Sequence, residues 1–451
     1  MKRALILMLA VFVLTMAGGN AAFATNGIEF IGFGAYGKSM GGAVTAAPFD
    51  TTTSMTNPAG YTEIGTRADF YGEMFMPDRE LNFTNAGGAK TSGGSKIYMN
   101  PAIGWIAPIS EGSKVHFGGS ISSVSGMGVD YDAINTTYLQ ANPSAGIMGP
   151  LMNGKVFSLY FFYKMSPTLA VKVNDKLSLA GSLNIDYQTM QFKQWFKNTD
   201  TANYPTSAGY LEDMGVDLST GAGAFGFGFA LGALYDLNDM ITLGASYTSK
   251  QWFQNMEYRL QQGDVIYSPD SMTLYTNQDG TYGWSGMDFP QQLALGIAIK
   301  PTKRLLIDFD YKWINYNDSF DKQYLEGDFI TTNMATGQSG TSNALPFNFG
   351  WKNVHVFAVG LQYVLMEDFF VRTGFNHGNS PIGEEDVDNS WAFPAIVEDH
   401  LSLGATKGFG KNWQVHGSYM HAFENTLTGK SGTEISLKED SLIFGLSYKF
   451  N

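Results

Sequence analysis

Few residues in this sequence have the types and spacing that a catalytic or metal-binding site requires. The chain contains no cysteine, which excludes disulfides, zinc–thiolate sites and a thiol nucleophile. Its histidines lack the spacing of a metal site such as H-E-x-x-H; they are His116, His355, His377, His400, His416 and His421. No Ser-His-Asp set can be assigned from chain order. The sequence therefore predicts no catalytic residue, no metal site and no cofactor.

Two further motifs have the form of a binding site. Gly32, Gly34 and Gly37 fit G-x-G-x-x-G, but a nucleotide loop also requires a preceding strand and a βαβ unit, and the sequence shows neither. The acidic run from Glu384 to Asp388 could bind divalent cations or face lipopolysaccharide. An acidic loop is usually just solvated, and we favour that interpretation.

The composition indicates a membrane protein. Only 15% of the 451 residues are charged, 14% are aromatic and 53 are glycine. A soluble chain of this length usually divides into domains and carries more charge. The net charge of −13 argues against nucleic acid as a partner. No apolar run after residue 24 is long enough for a transmembrane helix, so a membrane protein with this sequence must be a β-barrel.

Residues 1–24 have the pattern of a secretory signal peptide. Two basic residues precede an apolar run that ends near Met16, and Ala22-Phe23-Ala24 is an A-x-A cleavage pattern. The run is shorter than the roughly 20 residues that a membrane-spanning helix needs. We predict cleavage before Thr25.

Period-two alternation runs through the chain after Arg67. From Leu177 to Gln188, large apolar residues alternate with small and polar ones without a break. The pattern recurs in Leu305–Trp313, Trp413–Met420 and Leu442–Phe450. A soluble sandwich packs such apolar faces on each other, whereas an outer-membrane barrel turns them to lipid and its polar faces inward. Alternation alone leaves both folds open.

The connections between strand-like runs favour the barrel. Short polar links occur near residues 110–113, 174–175, 238–239, 301–303, 367–368 and 411–412. Long irregular segments occur near residues 85–95, 133–152, 197–222, 261–285, 320–350, 379–397 and 427–437. Bacterial outer-membrane barrels have short periplasmic turns and long extracellular loops. The sequence therefore predicts an all-β fold, a transmembrane antiparallel β-barrel of about 14 strands over residues 67–451, in the outer membrane of a Gram-negative bacterium.

Residues 25–66 differ from the rest of the chain. This segment is rich in glycine, alternates too poorly for a strand and contains the turn Asn57-Pro58-Ala59-Gly60. A closed barrel of about 14 strands encloses a lumen, which needs a plug to prevent leakage. The segment is either a linker or something that the strands enclose, and the need for a plug leads us to predict that residues 25–66 form an N-terminal hatch inside the barrel.

Short stretches along the chain resemble the FadL/TodX (OMPP1) family of outer-membrane channels for hydrophobic compounds. In the N-terminal segment the similarity covers Glu29-Phe30, Gly34–Gly42, Asp50 and Asn57-Pro58-Ala59. Beyond it the similarity continues in Pro101–Ile109, Gly226–Tyr235, Phe289-Pro290, Arg372–Gly374 and Leu401–Gly404. The resemblance implies a plugged barrel of 14 strands. Its implied hatch residues are Glu29, Phe30, Gly34, Gly37, Gly41, Asn57, Pro58 and Ala59.

The resemblance also implies a transport mechanism. In the family, substrate is captured at extracellular loops, passes to a pocket against the hatch, and leaves sideways into the membrane at a kink in the third strand. Here that strand spans about Lys114 to Tyr131, and the kink corresponds to Ser125, Gly126, Met127 and Gly128. Glycines inside a strand mark bulges or close backbone approaches, although a plain glycine-containing strand is the alternative. Sideways exit suits an apolar solute, which is more stable in lipid than in water.

Candidate substrate-binding residues lie in the long loops, where apolar side chains cluster as in a ligand groove, or only pack the loops together. A fatty acid would need a cation, because burying an unpaired charge is costly. Where the fatty-acid channel has an arginine, this sequence has Gln194 beside Lys193, and Lys322 is a second basic position. A neutral hydrocarbon needs no cation. The candidates are Lys193, Gln194, Trp195, Phe196, Tyr210, Leu211, Met214, Tyr267 and Lys322.

Three functions are consistent with these observations. The first is a channel for passive uptake of hydrophobic compounds, long-chain fatty acids or hydrocarbons, and the hatch favours it. The second is a barrel enzyme acting on lipids, which needs a Ser/His pair at membrane height. The third is a structural or adhesin barrel with a closed interior. Expected partners are hydrophobic small molecules, outer-membrane lipid, lipopolysaccharide and the barrel assembly machinery. That machinery recognises an aromatic final strand such as Ser441–Asn451. We expect a monomer that binds no nucleic acid.

Overall fold

The computed structural model of the protein describes residues 25–86, 88–94, 97–136, 152–203, 212–268 and 271–450. The predicted signal peptide lies outside these residues. Within them, no helix has the length and apolar character needed to cross a membrane.

Fourteen antiparallel strands form a closed barrel, because the first strand pairs with both the second and the last. In chain order they are β1 (Arg67–Asn82), β3 (Tyr98–Pro108), β4 (Val115–Thr136), β5 (Met152–Lys172), β6 (Leu177–Asn198), β7 (Asp213–Asn238), β8 (Ile241–Thr248), β14 (Gln292–Thr302), β15 (Leu305–Ile314), β18 (Val354–Met366), β19 (Phe369–Gly378), β20 (Asp399–Phe409), β21 (Trp413–Thr428) and β22 (Glu434–Lys449). The predicted strand number is confirmed.

The orientation of the alternating faces distinguishes a barrel from a sandwich. On β6, Leu183 is 56% exposed, whereas the next residue, Asn184, is 1% exposed. Phe309 on β15 and Phe444 on β22 also point outward, while Asp308 is buried. Apolar side chains therefore cover the outside of the barrel and polar ones line its interior, as in an outer-membrane barrel.

All six short connections are present where the sequence predicts them, but several predicted long loops are more regular than expected. Residues 261–285 and 320–350 contribute to a six-stranded sheet that stands apart from the barrel ladder. Its strands are β10 (Met256–Leu260), β11 (Val265–Ser268), β12 (Thr273–Asn277), β13 (Gly280–Ser285), β16 (Lys322–Asn333) and β17 (Ser339–Asn348). The last predicted loop is also shorter, since β21 and β22 extend to Thr428 and Glu434.

The remaining elements are short. β2 (Lys90–Ser92) pairs with the end of β1, and β9 (Trp252–Phe253) pairs with β7. The loops carry a helical turn at Asn317–Phe320 and 3-10 turns at Thr84–Ala86 and Glu384–Asn389. The segment before β1 has a helix at Gly34–Ser39 and 3-10 turns at Thr51–Met55 and Pro58–Thr62.

The N-terminal segment, residues 25–66, contacts strands all around the inner wall. The Asp310 carboxylate on β15 accepts from the backbone N–H groups of Val44 and Thr45, both at 2.9 Å. On β1, Asp69 accepts from the Thr51 N–H at 2.8 Å. On β19, the Asn376 side chain donates to the Gly41 carbonyl at 3.0 Å. Contacts on three separated parts of the wall place this segment across the lumen.

Inward-facing glycines of the wall make this close fit possible. A Cβ at Gly374 on β19 would lie 2.1 Å from the carbonyl carbon of Met40, and one at Gly244 on β8 would lie 2.2 Å from the Thr45 oxygen. A real Cβ does not approach so closely, so any larger residue must displace the N-terminal segment.

We predict that Gly374→Val leaves the barrel folded but loosens the N-terminal segment, because the new side chain overlaps the backbone at Met40. Conductance of hydrophilic ions across planar bilayers should rise, while heat-modifiable gel migration should show an intact barrel. Gly417→Val is the matched control, since a Cβ at Gly417 on β21 meets no atom within 4 Å. Equal conductance of the two variants would contradict the prediction.

Candidate functional site

The ladder between β3 and β4 ends partway along both strands. Pairing runs from Pro108↔His116 to Ala102↔Ser122 and then stops, although both strands continue. At the same level the register between β4 and β5 shifts between Ser123 and Ser125, so Val124 is an extra residue on β4. A β-bulge bends its strand and disrupts the local ladder. The barrel wall therefore has an opening, which we call the window, between Tyr98–Pro101 of β3 and Ser123–Gly128 of β4.

The N-terminal segment supplies the hydrogen bonds that β3 does not. Glu29 forms an antiparallel bridge with Ser125, and the Phe30 N–H donates to the Val124 carbonyl at 3.0 Å. The Ser125 hydroxyl donates to the Ile28 carbonyl at 2.7 Å. Residues 28–30 thus act as a short replacement strand on the inner side of the window. The bulge at Val124 turns its carbonyl toward them.

A buried ion pair holds this replacement strand from the opposite wall. The Lys312 ammonium on β15 lies 2.6 Å from the Glu29 carboxylate, which is almost fully buried. The Tyr316 hydroxyl donates to the Asn26 carbonyl at 2.6 Å and accepts from the Ile28 N–H at 3.1 Å. These bonds fix the conformation of residues 26–29 across the lumen.

Arg79 closes the end of the window that lies at Tyr98 and Gly128. Its guanidinium donates to the Tyr98 hydroxyl on the β3 side at 3.2 Å and to the Gly128 carbonyl on the β4 side. It also donates to the carbonyl of Gly93, just after β2, so that the β1–β2 hairpin covers this end. One side chain therefore joins both edges of the opening, because a guanidinium offers five N–H donors.

Aromatic rings fill the window between these ends. The Phe30 ring packs edge-on against Phe75 of β1, with centroids 5.2 Å apart. The Tyr98 ring meets Phe161 of β5, with centroids 6.1 Å apart. A Cβ at Gly126 would lie 3.3 Å from Phe30 and 3.6 Å from Phe161. The absence of a side chain at Gly126 thus leaves the space between an inner and an outer aromatic residue.

A small cavity lies directly behind the window and encloses about 30 Å³. Ile28 and Phe30 line it from the N-terminal segment, and Gly126, Met127 and Gly128 line it from β4. Three of the four predicted kink residues therefore line one cavity, and the fourth, Ser125, bonds the N-terminal segment beside it. The sequence did not indicate Arg79 or the β1–β2 hairpin, because their role depends on contacts between distant residues.

A larger cavity of about 160 Å³ lies among the long loops. Four predicted substrate-binding residues line it, namely Gln194, Phe196, Met214 and Tyr267. Aromatic residues that the sequence analysis did not select complete it, and they are Phe192, Phe347, Phe349 and Trp391. The alternating spacing of Leu345, Phe347 and Phe349 could have indicated Phe347 and Phe349, since a period of two is typical of a half-buried strand.

The other predicted substrate-binding residues lie elsewhere. Lys193 forms an ion pair with Asp217 on the neighbouring strand, and its ammonium lies 5.9 Å from the Trp195 ring centroid. Because strand side chains alternate, Lys193 and Trp195 point away from the cavity that Gln194 and Phe196 line. Lys322 is exposed on β16 and does not line the cavity. Tyr210 and Leu211 lie outside the described residues.

One loop segment lines both cavities. Trp391 and Ala392 border the larger cavity, and Pro394 and Ala395 border the one behind the window. Phe393, between them, packs on Phe349 with centroids 5.7 Å apart. Residues 391–397 are all buried. An apolar boundary one loop thick therefore separates the two cavities.

The predicted hatch residues lie in the lumen and are all buried, namely Glu29, Phe30, Gly34, Gly37, Gly41, Asn57, Pro58 and Ala59. Asn57 accepts from the Ala59 N–H at 3.2 Å and so begins the 3-10 turn at Pro58. Its amide also donates to the carbonyls of Thr45 at 2.7 Å and of Ala233 on β7 at 3.0 Å. Asn57 thereby ties two parts of the segment to the wall.

The closed barrel, its polar interior and its occupied lumen define an outer-membrane β-barrel of the transport class. Residues 11–450 match the family described as outer membrane protein transport protein (OMPP1/FadL/TodX). The chain belongs to this family, whose members are transport proteins and not enzymes. An outer membrane protein of Neisseria meningitidis serogroup B, NMB0088, is 22% identical over 248 residues, which cover 50% of this chain and 51% of that protein.

Solved structures share the fold at low sequence identity. The toluene transporter TodX of Pseudomonas putida superposes with a TM-score of 0.70 at 18% identity, over 93% of this chain and 99% of that one. The toluene transporter TbuX of Ralstonia pickettii gives 0.65 at 18% identity, over 93% and 99%. A FadL homologue of Pseudomonas aeruginosa gives 0.68 at 16% identity, over 94% and 100%.

We predict that Glu29→Gln loosens the replacement strand at the window, because Lys312 loses its charged partner in a buried setting. A hydrogen bond to a charged group is about 1 kcal/mol stronger than a neutral one, so exchange of the Phe30 N–H should accelerate by roughly 5- to 10-fold. Hydrogen–deuterium exchange of peptides that include residue 30 measures this exchange rate.

The matched control is Glu80→Gln, which removes the partner of Lys90 in a pair of similar length, 2.7 Å, at the surface. Exposed pairs contribute little, so exchange near Phe30 should match that of the parent protein. Unchanged exchange in Glu29→Gln would show that the ion pair does not hold the segment.

Proposed function

We propose that this protein is a channel for passive uptake of hydrophobic compounds, in which substrate is captured by the loops and leaves sideways through the window. The observation that carries the proposal is the loss of β3–β4 pairing beyond Ala102↔Ser122; among the described residues, the gap is filled by residues 28–30, aromatic side chains and Arg79. Because no β3–β4 backbone hydrogen bonds close this gap, it can open without breaking the β-ladder between these two strands. An apolar solute that reaches it is more stable in lipid than in water.

In this proposal the larger cavity captures the substrate. Its walls are mostly aromatic and apolar, as is typical of sites for hydrophobic ligands. From there the substrate passes Phe393 to the cavity behind the window, a step that requires only side chains of one loop to move. The N-terminal segment is the hatch that blocks the direct route through the lumen, and residues 28–30 must shift to let the substrate out.

We infer that the favoured substrate is a neutral hydrocarbon and not a fatty acid. Among the described residues that line the larger cavity, the one charged side chain is Asp388, and its carboxylate accepts from the Ser431 N–H at 3.1 Å. Lys193 and Lys322 do not line it. A carboxylate would therefore be buried without a counterion, at a high cost in free energy. TodX and TbuX, which share the fold, are named as toluene transporters.

The barrel enzyme and the adhesin are less well supported. The family consists of transport proteins, and the cavities at the window and in the loops are lined largely by apolar side chains. We further expect the barrel to act as a monomer surrounded by outer-membrane lipid and lipopolysaccharide, and to be inserted by the barrel assembly machinery.

We predict that Gly126→Leu reduces uptake of radiolabelled toluene at least 10-fold in cells that carry this channel alone, because the side chain fills the space between Phe30 and Phe161. Surface amounts and heat-modifiable migration should match the parent protein. Gly181→Leu on β6 is the control, since its nearest neighbour would be 3.8 Å from the Cβ. Parental uptake in Gly126→Leu would exclude the window as the exit.

A further inference from the structure

The cavity behind the window contains a polar corner that the proposed path for hydrocarbons does not use. Asn100 on β3 lines this cavity and is only 5% exposed. Neither its amide nitrogen nor its amide oxygen has a hydrogen-bond partner among the described residues. Glu439 on β22 lines the same cavity, is 6% exposed, and has one carboxyl oxygen likewise without a partner. Buried polar groups in proteins are nearly always paired, so these atoms indicate a missing partner.

The chemistry of the corner selects the partner. Asn100 offers a donor group and an acceptor, so a group that both donates and accepts satisfies it. A hydroxyl does this. A carboxylate would bring a second negative charge into the cavity that Glu439 also lines, while Arg79 on the wall of this cavity already donates to Tyr98, Gly93 and Gly128.

The volume of the cavity suits the hydroxyl end of such a molecule and not the whole molecule. About 30 Å³ holds roughly two water molecules. Its other walls include Phe30, Phe75, Phe161 and Leu437, which are apolar. A solute with its hydroxyl at Asn100 would therefore have its apolar body among the aromatic rings of the window.

We propose that Asn100 forms a hydroxyl-binding subsite beside the window, which takes the O–H end of uncharged apolar alcohols or phenols. The hydroxyl accepts from the Asn100 amide nitrogen or donates to the Asn100 amide oxygen. This inference rests on the proposed function for its biological meaning, since the window places the subsite on the exit path. Binding itself can be tested on the purified protein.

The experiment compares benzyl alcohol with ethylbenzene, which replaces the hydroxyl by a methyl group of similar size. Equilibrium binding of both radiolabelled probes is measured on the detergent-purified full chain, for the parent protein and for Asn100→Leu. The variant should bind benzyl alcohol about 10-fold more weakly, because one polar partner is lost, and ethylbenzene as well as or better than the parent. Gln292→Leu, which removes an amide from a cavity on the far side of the lumen, should change neither affinity.

Three results would overturn the subsite. Asn100→Leu could leave benzyl alcohol binding unchanged, which would mean that only water occupies the corner. It could weaken both probes equally in a barrel with parental heat-modifiable migration, which would indicate a structural role. Benzoate could bind the parent protein more tightly than benzyl alcohol, which would make it a carboxylate site. Failure of the channel proposal looks different, because Gly126→Leu would then keep parental uptake while the alcohol preference persisted.

Should Asn100→Leu fail to fold, Asn100→Ala serves in its place. The alanine removes both the amide donor and the amide acceptor, so benzyl alcohol should again bind more weakly relative to ethylbenzene. An unchanged ratio of the two affinities would reject the subsite.

Discussion

Backbone hydrogen bonding inside a membrane is the constraint on which this structure depends. Lipid offers no partner for an exposed N–H or carbonyl, so a barrel must pair every strand with two neighbours. The window breaks this rule between β3 and β4. The protein compensates with groups other than the β3 backbone: the Phe30 N–H donates to the Val124 carbonyl from the lumen, and the Arg79 side chain of β1 donates to the Gly128 carbonyl. The N-terminal segment is therefore part of the wall as well as an occupant of the lumen.

This arrangement explains why the lumen is packed so closely. A replacement strand of three residues has too few bonds of its own to stay in place, and the Glu29–Lys312 ion pair and Tyr316 hold it from the far wall. Glycines such as Gly374 and Gly244 let the rest of the segment lie directly on the barrel backbone. The loop at residues 391–395 completes the site by separating the capture cavity from the window with one aromatic layer.

Features that repeat along the chain could be predicted from the sequence. Period-two alternation and the succession of short and long links predicted the strand number. The position of Gly126 and Gly128 was predicted from the resemblance to the FadL/TodX family, and both lie just after the bulge at Val124. Features that depend on contacts between distant segments could not. β16 pairs with β12 and β13 from another loop, so residues 320–350 looked irregular. The sequence makes Lys193 a candidate to bind a carboxylate, but the direction of its side chain depends on the register of β6 with β7, where Asp217 faces it. Arg79 joins β3 to β4 only after both strands are in place.

The central claim is that substrate leaves where residues 28–30 replace the missing β-ladder. The bridge between Glu29 and Ser125 brings their Cα atoms to the separation of an antiparallel pair, about 4.5–5.5 Å, which suits a disulfide. Because the chain has no cysteine, the double variant Glu29→Cys/Ser125→Cys forms one defined bond. Toluene uptake by cells carrying it should be lost when the bond is oxidised and return on reduction, with single-cysteine variants unaffected by either treatment. Equal uptake in the oxidised and reduced states would contradict the account.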